Sequence, residues 1–120
     1  MLTEKELRNF SSGWRRRKRE KDIHLQKKHS LAMEKAQQVG NMLKEKYHAQ
    51  KVFLFGSLVN GTYWEHSDID IAVSGFNDAC YLDAFWDATQ MVLPFDLDLV
   101  ILEDVSAKLE NRILNEGTEI

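Results

Sequence analysis

The stretch "FGSLVNGTYWEHSDIDIAV", residues 55–73, decides the fold. It opens on a Gly-Ser pair, Gly56 and Ser57, and after ten intervening residues come Asp68 and Asp70, separated by Ile69. "SDIDIAV" alternates polar and apolar residues with a period of two, which predicts a strand with one face covered. On that strand Asp68 and Asp70 share a face, about 6 to 7 Å apart, while Ile69, Ile71 and Val73 point into a core. Just upstream, "KVFLFG" (51–56) reads as a short buried strand ended by glycine. Downstream, "FDLDLVIL" (95–102) repeats the alternation, with Asp96 and Asp98 on one face and Phe95, Leu97, Leu99 and Ile101 on the other.

Helices fill the intervals. Thr3 followed by Glu6 fits a capping box, and "SSG" at 11–13 predicts a break before Trp14. From Ser30 onward Ala32, Ala36, Val39, Leu43 and Tyr47 recur at three- and four-residue steps, one buried helical stripe that Gly40 weakens without forbidding. Asn77 is a cap for a helix whose Leu82, Phe85, Trp86 and Thr89 share a side, ended by Pro94. Leu109, Ile113 and Gly117 mark a last helix with its C-terminal glycine. The order helix-strand-strand-helix-strand-helix predicts an α+β (α/β-like) domain, a small mixed sheet with helices on one face. The chain divides into a basic helical arm, residues 1–48, and a core, residues 49–120.

Composition narrows the class. The 120 residues, 43% hydrophobic and 29% charged, suit one soluble globular domain. One cysteine, Cys80, forms no internal disulfide and reads as a small buried residue. No apolar run approaches the roughly 20 residues of a membrane span, and "MLTEKELRNF" lacks a signal-peptide pattern; the expected location is cytoplasmic. The charge is strongly bipolar. Residues 1–50 hold 13 Lys/Arg against 6 Asp/Glu, a balance of +7, whereas residues 51–120 hold 3 against 13, a balance of −10. Such a split suits an acidic half that gathers cations and a basic arm that faces a partner. "WRRRKREKD" (14–22) admits an RNA reading, but one aromatic, Trp14, makes a poor stacking platform. Docking of a partner or a second subunit is preferred.

Two carboxylates on one strand face repel, and a shared cation resolves the conflict. A strand lies about 4.8 Å from its neighbour, so an aspartate of the third strand can complete a cluster of three. Oxygen ligands of that kind suit Mg²⁺, and two ions about 3.5 to 4 Å apart form the clamp of in-line phosphoryl displacement. Gly56, leaving a strand, lets backbone N–H groups approach a ligand, and Ser57 adds a hydroxyl. Either half alone is common: Gly-Ser pairs abound, and an Asp-x-Asp strand is often an ordinary solvated face. Their order and separation carry the signal.

"GSLVNGTYWEHSDIDIAV" resembles the signature of the DNA polymerase β-type nucleotidyltransferase superfamily, and the short length resembles its minimal nucleotidyltransferases, which in prokaryotes often accompany a helical HEPN-family protein as a toxin–antitoxin-like pair. The resemblance covers about residues 50–120. It implies the nucleotidyltransferase fold, with Gly56 and Ser57 on the nucleotide triphosphate and Asp68 and Asp70 on metal. "DLV" at 98–100, with "LNEG" further on, implies Asp98 as the third ligand and leaves Asp96 nearer the strand's beginning. The implied activity is transfer of a nucleoside monophosphate, AMP from ATP, to a hydroxyl acceptor such as a tyrosine of a HEPN-type partner, with a homo-oligomer as the other source of acceptor. The alternative is a non-catalytic, antitoxin-like subunit that masks its partner. Many relatives carry arginine three residues after the serine, where this chain has Asn60. Trp64 and His66, in the connection before Asp68, admit stacking on a base or contact with phosphate, but packing or loop exposure is the preferred reading, and His24, His29 and His48 show no metal-ligand spacing.

Overall fold

The computed structural model describes the backbone of residues 4–60 and 68–120 and the side chains of residues 25–59 and 68–120. The proposed cap at Thr3, the side chains of Glu6, of the basic run 14–22, of His24 and of Asn60, and the residues Trp64 and His66 lie outside that description.

Chain order is α1 (Glu4–Lys46), β1 (Lys51–Phe55), α2 (Ser57–Asn60), β2 (Asp68–Ser74), α3 (Tyr81–Val92), β3 (Asp96–Ile101), α4 (Ala107–Glu116) and β4 (Thr118–Glu119), with single 3₁₀ turns at Asp78–Cys80 and Leu102–Asp104. The sheet runs β3-β2-β1-β4. It is mixed: β1 is antiparallel to both β2 and β4, whereas β2 and β3 are parallel, joined through α3.

α1 is continuous, so the break predicted at Ser11–Gly13 does not occur. Ser and Gly each cost about 0.5 to 1 kcal/mol of helix propensity, too little to interrupt a helix so long. The predicted stripe is present, with Ala32, Ala36, Val39 and Leu43 fully buried. The end of α1 therefore belongs to the core. The helix stops where His48 turns to φ 58° and the Ala49 N–H donates to the Leu43 carbonyl at 3.1 Å.

α3 presents a different side from the one its large residues suggest. Leu82 and Trp86 are 78% and 65% exposed, and Ala84, Ala88 and Val92 are buried instead, with Tyr81, Phe85 and Met91 packed beside them. α1 lies against α3, and each contributes alanines to the shared core. Small side chains let the two backbones approach closely, and an indole at that contact would hold them apart. Asn77 caps as expected, its side chain accepting from the Ala79 N–H at 3.0 Å, but the element it opens is the 3₁₀ turn. Cys80, expected to be buried, is half-buried at that junction.

The main core fills the α1/α3 face with Val52, Leu54, Ile69, Ile71, Val73 and Leu99. Helices do form the principal layer on one face. On the other face α4 adds a partial cover: Ile113, with Leu109 beside it, packs with Phe53, Ala72 and Leu102 in a second, smaller cluster. Ser106 caps α4, its hydroxyl accepting from the Leu109 N–H at 3.2 Å, and Gly117 ends it. β4 follows at once, pairing Thr118 and Glu119 with Leu54 and Phe53. It thereby covers one edge of β1. β3 forms the opposite edge of the sheet, where the Tyr81 hydroxyl donates to the Leu99 carbonyl at 2.6 Å.

Candidate active site

The pairing register places the carboxylates. In the parallel ladder Asp68 stands opposite Asp96 and Asp70 opposite Asp98, so alternation puts all four on one face. They occupy the end of that face, and Ala72 and Val100, one pleat further on, enter the second core under α4. Ile69, between the acids of β2, is fully buried on the opposite side, as is Ile71 beyond them, and Leu97, between the acids of β3, is half-buried. Two parallel strands with the same alternation therefore yield a patch of four acids over a dry core. Asp68, Asp96 and Asp98 are exposed and Asp70, at the centre, is half-buried.

Asp70 carries the electrostatic strain of the patch. Burial pushes its carboxyl above the usual carboxylate range, and the neighbouring charges of Asp98 and then Asp68 push it the same way. Asp70, Asp98 and Asp68 thus share one field. Asp98 also reaches Tyr81: burial first and this carboxylate second raise the phenol's pKa.

Gly56 closes the other side of Asp70. Phe55 pairs with Asp70 across the antiparallel ladder, and Gly56 leaves the strand at φ +80°. A Cβ built there would stand 2.2 Å from Asp70 Oδ2 and 3.1 Å from its Cγ. The chain thus needs glycine twice at this position, for the left-handed turn and for the carboxylate lying against it. Ser57 then begins α2. Leu58, 2% exposed, anchors this short helix, and His29 Nε2 of α1 lies 2.8 Å from the Leu58 carbonyl oxygen as its hydrogen-bond donor. His29, expected to carry no chemistry, has a structural task here.

The structure thus brings Gly56, Asp68, Asp70 and Asp98 to one end of the sheet, with Ser57 following Gly56, and brings Asp96 there too. Among the described residues no three His, Cys, Asp or Glu side chains are gathered closely enough to hold a metal ion as they stand. The fit to a divalent cation lies in the donor set, which is wholly carboxylate, and in the mutual repulsion that a cation would relieve. Beside Gly56 a cavity opens between β1 and α4, lined by Phe55, Gly56, Leu109, Arg112, Ile113 and Glu116. Sequence reasoning singled out neither Arg112 nor Glu116 at this place. Four residues apart on a helix, they read as a solvated ion pair, and the one signal was that Arg112 is among only three basic residues after position 50.

Comparison with known proteins supplies the family and the fold. A curated relative, the protein adenylyltransferase MntA of Shewanella oneidensis, is 35% identical over 74 residues, which are 59% of this chain and 52% of the relative. The chain thus spans about half the length of that curated relative. A crystal structure of a toxin–antitoxin with AMP-PNP is similar at 27% identity and a TM-score of 0.59, over 70% of each chain. A structure assigned as a minimal nucleotidyltransferase shares the fold at 19% identity and a TM-score of 0.63, over 77% of this chain and 95% of its own. No helix among the described residues is long and apolar enough to cross a membrane. Residues 37–120, well over half of the sequence, match the family described as "Polymerase beta, Nucleotidyltransferase", and the chain belongs to the polymerase β nucleotidyltransferase family.

Proposed function

We propose that this protein is a Mg²⁺-dependent nucleotidyltransferase that moves AMP from ATP to a hydroxyl on a helical, HEPN-type partner protein. The observation that carries the reading is the ladder that sets Asp70 opposite Asp98 while Gly56 lies against Asp70. It joins the cradle for a triphosphate to the carboxylates that would hold its cation. The likeness to the adenylyltransferase MntA and to a toxin–antitoxin holding AMP-PNP supports adenine nucleotide and a protein acceptor. A subunit that only masked its partner would have no use for a half-buried aspartate pressed between two like charges.

In this reading Gly56 and Ser57 hold the triphosphate, and Asp68, Asp70 and Asp98 are the metal ligands. These carboxylates would hold Mg²⁺, two ions of it, which would neutralise the charge that develops along the phosphates. The acceptor oxygen attacks the α-phosphorus, the bond to the β-phosphate oxygen breaks, and pyrophosphate leaves. Asp98, on the outer strand, takes the acceptor's proton as general base. The basic stretch of α1 ahead of its buried Ala32–Leu43 stripe docks the partner or a second subunit, and the rest of the chain carries the chemistry in a cytoplasmic setting.

Calorimetry with ATP, with and without Mg²⁺, tests the reading. ATP binds only with Mg²⁺, and Asp68→Asn abolishes binding while circular dichroism stays unchanged, because Asp68 is exposed. Metal-independent ATP binding, or binding that survives Asp68→Asn, overturns it.

A further inference from the structure

The acidic face poses a problem for the nucleotide it is proposed to bind. A triphosphate is itself a polyanion, and α2, which follows the Gly56 turn, contains no basic residue. The whole of residues 51–120 offers three cationic side chains, Lys51, Lys108 and Arg112. Lys51 sits at the start of β1, the end away from Gly56. Of the three, only Arg112 lines the cavity that Gly56 also lines.

Its setting suits a mobile partner on a fixed base. Ile113, next in sequence, is 1% exposed in the second core, so this turn of α4 is held in place. Among the described residues the guanidinium pairs with Glu116 alone, Nε to Oε2 at 3.3 Å, and the two side chains are 67% and 56% exposed. Exposed pairs of this kind contribute little and are screened by salt. Guanidinium exchanges such a carboxylate readily for phosphate, whose oxygens match its planar fork.

We infer that Arg112 is a phosphate-binding residue of the nucleotide site, leaving Glu116 to pair with the triphosphate of a nucleotide seated at Gly56 and Ser57. The inference rests on the function proposed above. Glu116 then acts as a placeholder that competes with the nucleotide for the same cation.

The experiment is calorimetry of the full chain with Mg²⁺ and the non-hydrolysable analogue AMP-PNP over a range of NaCl concentrations. Arg112→Ala weakens binding about tenfold, the size of one charge-assisted contact, and flattens the salt dependence. Arg112→Lys recovers part of the loss, and Glu116→Gln tightens binding about two- to threefold by removing the competitor. A residue that merely braced the helix would instead give the same loss for both partners of the pair. Wild-type affinity in Arg112→Ala, or equal weakening in Glu116→Gln, overturns the inference while the nucleotidyltransferase reading stands. Failure of the wild-type chain to bind Mg²⁺–AMP-PNP overturns both.

Discussion

Replacing Gly56 by Ala tests the link between the turn and the carboxylate most directly. Two costs follow from the structure. At φ +80° an L side chain sits in the left-handed region, which costs about 1 to 2 kcal/mol. The new Cβ would also fall 2.2 Å from Asp70 Oδ2, so the carboxylate must turn away; an off-rotamer side chain costs about 1 kcal/mol. The expected destabilisation is therefore about 2 to 3 kcal/mol, read from urea denaturation. Asp70 Cβ would lie at 3.4 Å, an ordinary contact, so in an Asp70→Ala background only the backbone cost remains. The double-mutant cycle should show a coupling of about 1 kcal/mol, above the few tenths expected of independent sites. Mg²⁺–ATP binding should be lost in Gly56→Ala through the displaced carboxylate. Additive effects, or a Gly56→Ala protein that binds Mg²⁺–ATP like the wild type, would refute the reasoning.

Further expectations concern the carboxylates. In metal-free protein Asp70 is protonated in both folded and unfolded states below the ordinary carboxylate range and ionised in both above its own raised value. Because the folded value is the higher one, its contribution to stability falls as pH rises from the ordinary range through the raised value. Thermal melts in EDTA should show that loss, and Asp70→Asn should abolish it and melt higher than wild type at neutral pH while no longer binding Mg²⁺–ATP; a lower melting temperature would contradict the strain assigned to Asp70. Asp98→Ala should abolish AMP transfer to a HEPN-type partner in a radiolabel assay, whereas Asp96→Ala keeps at least about a tenth of the rate, within roughly 1.4 kcal/mol of wild type. The reverse ranking would make Asp96 the third ligand.

Much of this was legible in the sequence because strand alternation has a period that no other element shares. "DIDI" and "DLDL" each fixed which side chains face the core, and the Ala32–Leu43 stripe fixed the buried side of α1. The pairing of Asp70 with Asp98 depends on the parallel register, which alternation alone leaves open by two residues. α3 misled because periodicity weighs large apolar residues most, while the helix packs through Ala84 and Ala88. β4 is two residues long and has no period to read. Arg112 came to light only when the fold laid α4 beside Gly56.

β3 lies at the rim of the sheet, and among the described residues no strand pairs with its outer side. Unpaired backbone groups on such a rim invite another chain to add on. Asp96 and Asp98 set two charges on this rim, the kind of gatekeeper that disfavours the templating of fibrils. Stripped of both, the segment would read as an uncharged leucine, valine and isoleucine run, the composition that zips into cross-β stacks. Acids on this strand would thus favour a dispersed protein whatever their part in chemistry, and selection for colloidal solubility would keep them even in a descendant that had given up catalysis.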